Sequence, residues 1–190
     1  MRRGNLFIIS GPSGAGKGTL VRELPAIVPD VWVSVSVTTR APRPGEVEGQ
    51  HYVFISCEEF TRLAESGGLL EWAEVHGFRY GTPRAPVERR VAEGRQVILE
   101  IDPQGAFQVK KVIPSSVLVF IVPPSFEELQ RRLEERGSET KAQVETRLAT
   151  ARHELELVGE YDYVIQNDDV PRAVGELVGI IDSYADQQEV

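Results

Sequence analysis

The hydrophobic residues of this 190-residue chain fall into short runs, separated by longer segments with helical spacing. The apolar runs NLFIIS, QVILEID and SSVLVFIV are typical of strands that are buried on both faces of a parallel sheet. A further short strand is predicted in YDYVIQND. From capping residues and helical spacing, helices are predicted to begin near residues 17, 57, 83, 126, 144 and 170. This alternation predicts an α/β fold with a parallel core sheet.

The middle of the chain breaks the alternation. The segment WVSVSV, residues 32–37, predicts one continuous strand with a polar face, HYVFI predicts another, and LLEWAEVHGFRYG predicts a strand and turn or a hairpin. We therefore expect a small β-containing subdomain at 34–81, inserted into a core formed by 1–33 and 82–190. QVILEID ends in Asp102 and is followed by Pro103-Gln104-Gly105, and no helix is predicted between it and SSVLVFIV. A short flap is expected near 137–143, within a lid at about 125–150.

Composition narrows the choice of partners. The chain has 21 Lys and Arg against 29 Asp and Glu, a net charge of −8, which disfavours broad binding to nucleic acid or anionic membranes. One cysteine, Cys57, precludes an internal disulfide, and the short apolar run after the basic start is not a membrane segment. We therefore expect a cytoplasmic protein. The sequence leaves a monomer and a small homo-oligomer both open.

A glycine-rich segment follows the first predicted strand and precedes the first helix. GPSGAGKGT matches the phosphate-binding P-loop, in which backbone N–H groups, a helix N-terminus and a lysine hold the phosphates of a nucleotide. Gly18 occupies the position where many P-loop proteins have a hydroxyl that binds Mg²⁺. Mg²⁺ would then be held by phosphates and water, with no confident direct protein ligand. The expected ATP-binding residues of the loop are Gly11, Pro12, Ser13, Gly14, Ala15, Gly16, Lys17, Gly18 and Thr19.

The segment SVSVTTRAPRPGEVEGQHYVF resembles the acceptor-binding region of guanylate kinases. The resemblance continues in order through LLEWAEVHGFRYGT, LEIDPQG, RRLEERGSET and VIQNDD, and so spans nearly the whole chain. It implies a three-layer P-loop kinase core that carries a GMP-binding subdomain and a short lid. It also implies transfer of the γ-phosphoryl group of ATP to GMP with Mg²⁺, giving ADP and GDP in purine nucleotide metabolism and GMP recycling.

The resemblance also implies roles for individual residues. The acceptor phosphate would be bound by Arg40, Arg43, Tyr52 and Tyr80. Glu71 would accept from the N1–H and amine of guanine, Ser36 and Thr82 would donate toward O6, and Asp102 would assist. The catalytic residues would be Lys17, Arg132, Arg136 and Arg147. Asn167 would lie near the adenine of ATP, and the candidates near the metal are Thr19, Glu100 and Asp102.

Two departures from the family pattern stand out: Glu100 replaces a common aspartate, which puts its role in question, and Thr82 replaces a common serine. Two other functions are compatible with the sequence. The first is a P-loop kinase that acts on another phosphorylated acceptor, such as a ribose bisphosphate or a different nucleotide. The second is a guanylate-kinase-like interaction module, although such modules typically lose the phosphate-binding loop that this chain retains.

Overall fold

The computed structural model describes residues 3–75, 77–135 and 141–186. Five parallel strands, numbered along the chain, form the central sheet: β1 (Asn5–Ser10), β2 (Val31–Val33), β7 (Gln96–Glu100), β8 (Val117–Val122) and β9 (Tyr163–Gln166). Their spatial order is β2-β7-β1-β8-β9. The register pairs Ile9 at the end of β1 with Glu100 at the end of β7, so both strands end at the same edge of the sheet.

Helices cover both faces of this sheet. They are α1 (Lys17–Ile27) and α7 (Val170–Ala185) on one face, and α3 (Arg84–Ala92) and α4 (Pro103–Val112) on the other. The two-residue period of β1 directs Phe7 and Ile9 toward the first pair of helices and Leu6 and Ile8 toward the second. Every one of these side chains is buried. The predicted three-layer α/β fold is therefore confirmed.

A second, four-stranded sheet lies between β2 and α3 in the chain. It consists of β3 (Val37–Thr38), β4 (Val53–Phe54), β5 (Leu69–Val75) and β6 (Phe78–Pro83), in the spatial order β4-β3-β6-β5. Helix α2 (Cys57–Glu65) packs on it through the fully buried Phe60. Ser56 Oγ accepts a hydrogen bond from the Glu59 N–H at 3.1 Å, which confirms the predicted cap. β5 and β6 form the hairpin that was one of two alternatives from the sequence.

The prediction of one continuous strand over 32–37 was wrong. Val31–Val33 pairs with β7 in the central sheet, whereas Val37 pairs with Gly81 of β6 in the second sheet. Between them, the Ser34 N–H donates to Ile98 O at 2.9 Å, and Ser36 O accepts from the Val53 N–H at 2.9 Å. The alternation of side chains continues through the segment, but the pairing partner changes from one sheet to the other.

Helix α4 was missing from the sequence prediction, which assigned no element between Asp102 and the next strand. Asp102 Oδ1 accepts a hydrogen bond from the Gly105 N–H at 2.8 Å and so caps the helix, with Pro103 in its first turn. Farther along α4, the Gln108 amide binds the backbone of β5: Nε2 donates to Trp72 O at 2.9 Å and Oε1 accepts from the Trp72 N–H at 3.3 Å. Because Ala106 and Val109 pack in the core of the central sheet, α4 contacts both sheets.

Two more helices, α5 (Phe126–Glu135) and α6 (Lys141–Glu156), lie between β8 and β9. A 3-10 turn at Leu157–Glu160 follows α6. Ser125 Oγ accepts from the Glu128 N–H at 3.1 Å, as the capping box predicts. Arg136 and much of the predicted flap lie outside the described residues. Among the helices in the described ranges, none combines the length and apolar character needed to cross a bilayer.

Candidate active site

The glycine-rich loop connects β1 directly to α1. Gly16 has a φ of 88°, and a Cβ on it would lie only 2.2 Å from Asn167 Nδ2, so conformation and space both require glycine. The buried Asn167 amide comes this close because its Nδ2 donates a hydrogen bond to Ala15 O at 2.8 Å. Asn167 follows β9 directly. The end of a neighbouring strand therefore braces the loop.

The loop and the start of α1 have the features of an anion-binding site. α1 begins without a side-chain cap and without an acidic residue in its first turn, which leaves the positive end of its dipole for a ligand. Lys17 Nζ lies over the loop, where it donates to Gly11 O at 2.5 Å and to Pro12 O at 3.1 Å. These features suit a chain of phosphates.

A cavity of about 390 Å³ adjoins this loop, and its lining includes Gly14, Gly16, Thr19, Arg132, Asn167 and Asp168. Thr19 lines this cavity and is not part of the core. Its hydroxyl accepts a hydrogen bond from Arg22 Nη2 at 3.4 Å. Arg132 reaches the cavity from α5, where its Nε donates to Glu128 Oε1 at 2.8 Å. Its Nη2 donates to Asn167 O at 3.4 Å.

Helix α6 contacts the same loop at two points. Arg147 Nη1 donates to Ser13 Oγ at 3.5 Å, and the Glu154 carboxylate accepts a hydrogen bond from the Ser13 N–H. Burial raises the pKa of Glu154, while Lys17 and the Ser13 N–H act against that shift. Glu154 was not among the predicted site residues. Its position on a helix gave no signal of a contact so distant in the sequence.

A cluster around Arg40 lies on the second sheet. The buried Arg40 guanidinium makes a bidentate ion pair with Glu46, with nitrogen–oxygen distances of 2.8 and 2.9 Å, and its Nε donates to Tyr80 OH at 3.2 Å. The ion pair lowers the pKa of Glu46 to about 2. The ring centroid of Tyr52 lies 5.5 Å from the guanidinium carbon. Arg43 joins the cluster through its backbone N–H, which donates to Glu46 Oε2 at 2.7 Å, while its side chain is exposed.

A second polar cluster lies between the β5–β6 hairpin and the start of α4. Glu71 is only 5% exposed, and Thr82 Oγ1 donates to its Oε1 at 2.6 Å. Desolvation raises the pKa of Glu71 to about 7; Asp102 adds to this, and the Thr82 hydrogen bond acts against it. A Cβ on Gly105 would lie 2.5 Å from Glu71 Oε2, so glycine there admits the carboxylate. A buried carboxylate of this kind suits a ligand with adjacent hydrogen-bond donors.

The Thr82 hydroxyl donates its single proton to Glu71. Its predicted donation toward O6 of a base stays a prediction. Ser36 is half-buried in the link between the two sheets. Its predicted contact with the base remains a prediction.

Glu100 ends β7 beside the glycine-rich loop, and its side chain is exposed to solvent. Its crowded surroundings nevertheless raise its pKa by desolvation, and the charges of Lys17 and Arg22 act against this shift. Within the described parts of the chain, no three His, Cys, Asp or Glu side chains are grouped to hold a metal alone. Glu100, Asp102 and Thr19 carry oxygen atoms, the type of ligand that Mg²⁺ prefers, and Mg²⁺ bound to a nucleotide can keep waters and take most of its ligands from phosphates.

A sequence profile of the guanylate kinase family matches residues 3–184. This chain belongs to the guanylate kinase family. It is 53% identical to the guanylate kinase of Desulfitobacterium hafniense (strain Y51) over 178 residues, covering 94% of this chain and 89% of that protein. It is 49% identical to the guanylate kinase of Rhodococcus jostii (strain RHA1) over 191 residues, covering 100% of this chain and 92% of that protein.

A comparison with solved structures supports the same family. The crystal structure of guanylate kinase from Anaplasma phagocytophilum superposes with a TM-score of 0.81 at 36% identity, covering 99% of this chain and 89% of that chain. Shikimate kinase from Bacteroides thetaiotaomicron superposes with a TM-score of 0.52 at 16% identity, which is a likeness of fold alone. The resemblance to guanylate kinases stated from the sequence is confirmed.

The residues predicted from the guanylate kinase motifs lie in two regions of the molecule. The first region is the glycine-rich loop, residues 11–19, with Arg132, Arg147 and Asn167 beside it. The second region comprises the two clusters at the second sheet, which contain Arg40, Tyr52, Glu71, Tyr80, Thr82 and Asp102. Glu46 and Gly105 were not predicted as site residues. Both lie inside quoted motifs, in GE and QG, where charge pairing and close approach could have identified them.

Proposed function

We propose that this protein is an ATP:GMP phosphotransferase, which transfers the γ-phosphoryl group of ATP to GMP and releases ADP and GDP. The observation that carries the proposal is the buried Glu71 carboxylate, held by Thr82 between the hairpin and α4. Guanine presents N1–H and an exocyclic amine as adjacent donors, and adenine has no such pair. Adenine would leave the buried carboxylate without the two donors of the base and with Thr82 as its donor, and mismatches of this kind can cost several orders of magnitude in specificity. The names of the relatives support the same acceptor.

The donor nucleotide is proposed to bind at the glycine-rich loop. Phosphoryl transfer needs positioning and charge neutralisation more than covalent chemistry by the protein. In this role the loop N–H groups and Lys17 hold the ATP phosphates, and Arg132 and Arg147 neutralise the migrating group. Arg136 is proposed to join these two arginines when the lid at about 125–150 closes over the nucleotide. Asn167 is proposed to lie near the adenine of ATP, and its hydrogen bond to Ala15 O also braces the loop.

The acceptor phosphate is proposed to bind at the cluster around Arg40. The bidentate contact with Glu46 and the hydrogen bond to Tyr80 keep the Arg40 guanidinium in one orientation, which lowers the entropy cost of binding a phosphate dianion. Arg43, Tyr52 and Tyr80 would complete the set. Residues 34–81 would then act as a GMP-binding subdomain, and 1–33 with 82–190 as the ATP-binding core.

Mg²⁺ is the proposed cofactor. When bound, it would neutralise the charge that develops on the phosphates during transfer. Glu100, Asp102 and Thr19 are the residues of this chain that would hold its water shell. We also propose a cytoplasmic location, which the single, exposed cysteine supports because it needs no oxidising compartment.

The test is an assay of ADP release with ATP, Mg²⁺ and one acceptor at a time: GMP, AMP, CMP, UMP and a ribose bisphosphate. We expect turnover with GMP to exceed that with AMP by at least about 1000-fold in kcat/KM, because AMP lacks the pair of donors that Glu71 would accept from. Absence of turnover with GMP would refute the proposal. Turnover only with another acceptor would indicate a different P-loop kinase, and binding of GMP without turnover would indicate an interaction module.

A further inference from the structure

Gly18 is the second residue of α1, at the position where many P-loop proteins have a metal-binding hydroxyl. Its backbone is helical and its φ is not among the positive values found at other glycines of the loop. Backbone conformation therefore does not require glycine here. Since glycine also lowers the stability of a helix relative to other residues, another feature of the structure has to favour it.

That feature is the Glu100 carboxylate. A Cβ built on Gly18 would lie 3.3 Å from Glu100 Oε1, 3.4 Å from Oε2 and 3.8 Å from Cδ, and these are the three nearest atoms. The 3.3 Å distance to Oε1 is tighter than an ordinary contact, so a side chain at position 18 requires the carboxylate to shift by a few tenths of an ångström. The carboxylate therefore lies against the place that a serine or threonine would occupy.

The register of the central sheet explains this meeting. Glu100 pairs with Ile9, which is two residues from the start of the glycine-rich loop. The last residue of β7 therefore lies beside this loop. The electrostatic interactions of Glu100 reach Lys17 and Arg22 on the side of the donor loop and Tyr52 on the side of the acceptor cluster. Its exposure leaves it accessible to a hydrated cation.

We propose that Gly18 and Glu100 form one unit, in which the absence of a side chain at position 18 makes room for a carboxylate that replaces the missing P-loop hydroxyl. Glu100 acts in this unit as a positioning residue: its oxygens hold waters of the Mg²⁺ ion that accompanies the donor nucleotide. The two departures of this chain from common patterns, glycine at 18 and glutamate at 100, are then one coupled feature. The inference rests on the proposed function, because it assumes that the loop binds a magnesium nucleotide.

The test is a double-mutant cycle with Gly18→Ser, Glu100→Asp and the double variant. The measured quantity is the ratio of ADP affinity with Mg²⁺ to that with EDTA, obtained by titration calorimetry. Gly18→Ser crowds the carboxylate and Glu100→Asp retracts it, so each alone should lower the ratio about tenfold. In the double variant a hydroxyl and a shorter acid coexist, and the ratio should return to within about threefold of the wild type.

A second double variant distinguishes the effect of steric space at position 18 from the effect of a hydroxyl there. Gly18→Ala in the Glu100→Asp background relieves the crowding but supplies no hydroxyl. Without nucleotide, this double variant should have an unfolding temperature close to that of the wild type. Its Mg²⁺-dependent affinity ratio should stay lowered. Gly175→Ser is the matched control, because Gly175 lies in α7 and no atom lies within 4 Å of a Cβ built on it. This control should leave the affinity ratio unchanged, which would show that adding a serine to a helix does not by itself alter the ratio.

Two results would overturn the proposal. Additive effects of Gly18→Ser and Glu100→Asp on the affinity ratio would show that the positions act independently. Coupling in the unfolding temperature alone would show that Glu100 is only a packing neighbour. Neither result depends on the acceptor, so failure of this inference is distinguishable from failure of GMP phosphorylation, which the ADP-release assay measures separately.

Discussion

Replacing Glu71 by glutamine should weaken the preference for GMP while leaving ATP binding intact. The carboxylate is the proposed acceptor for two donors of guanine, and each charge-assisted hydrogen bond contributes about 1.5 kcal/mol or more. Their loss amounts to about 3 kcal/mol, which raises KM for GMP about 100-fold. The glutamine NH₂ group would in addition face donors of the base. KM for ATP should change less than about twofold, because the glycine-rich loop is elsewhere.

The same substitution should stabilise the protein without nucleotide. Burial raises the pKa of Glu71 from its ordinary value of 4.5 to about 7, which at about 1.36 kcal/mol for each pKa unit disfavours the ionised folded state by about 3 kcal/mol. An acid with a raised folded-state pKa destabilises the fold progressively as the pH rises from 4.5, and fully above about 7. The gain from Glu71→Gln should therefore be near zero at pH 4 and about 3 kcal/mol at pH 8.

Two measurements check these expectations: steady-state kinetics with each substrate varied, and urea unfolding of the nucleotide-free protein at pH 4 and pH 8. Glu74→Gln is the matched control, since Glu74 lies on the same strand but its side chain is exposed. Equal increases of KM for GMP and ATP would refute Glu71 as the reader of the base. A stability gain that is the same at both pH values would refute its raised pKa.

Three further predictions concern neighbouring parts of the site. Glu46→Gln should raise KM for GMP about tenfold, because the Arg40 guanidinium loses its bidentate partner. The Glu46 contribution to stability should be complete above pH 4.5 and disappear as the pH falls toward 2, so acid-unfolding curves of variant and wild type should converge there. Gly105→Ala should destabilise the fold by about 2 kcal/mol through overpacking and weaken GMP binding in calorimetry, whereas Gly159→Ala, which enters open space, should do neither. Asn167→Ala removes the brace of the glycine-rich loop and should raise KM for ATP more than KM for GMP; the reverse order in steady-state kinetics would contradict that role.

Much of the fold could be predicted from local patterns, because the spacing of buried residues and the capping of helices depend on residues that are close in the sequence. The caps at Ser56 and Ser125 are formed as expected. The errors occurred where local patterns are ambiguous. Pro103 follows Asp102 both in a turn and in a capped helix start, and only the packing of α4 against β5 decides between them. Likewise, side-chain alternation over 32–37 does not reveal that the pairing strand changes.

The candidate site was predicted as a set of residue types, but not as a set of contacts. The motifs identified Glu71 and Arg40, whereas their partners depend on tertiary structure. Glu46 holds Arg40 because the loop folds back on itself, and Gly105 approaches Glu71 because α4 meets the hairpin. The contact of Gly18 with Glu100 likewise depends on the parallel register of β1 and β7.

The attachment of Gln108 to β5 has a consequence for association between molecules. β5 is an edge strand, and the exposed N–H and C=O groups of such an edge can recruit a strand from another chain. The Gln108 amide occupies both backbone polar groups of Trp72, a residue within that strand. An incoming strand would have to break these two hydrogen bonds and displace α4. One helical side chain thus blocks strand addition at this edge, beside a tryptophan that is 43% exposed and would otherwise favour aggregation.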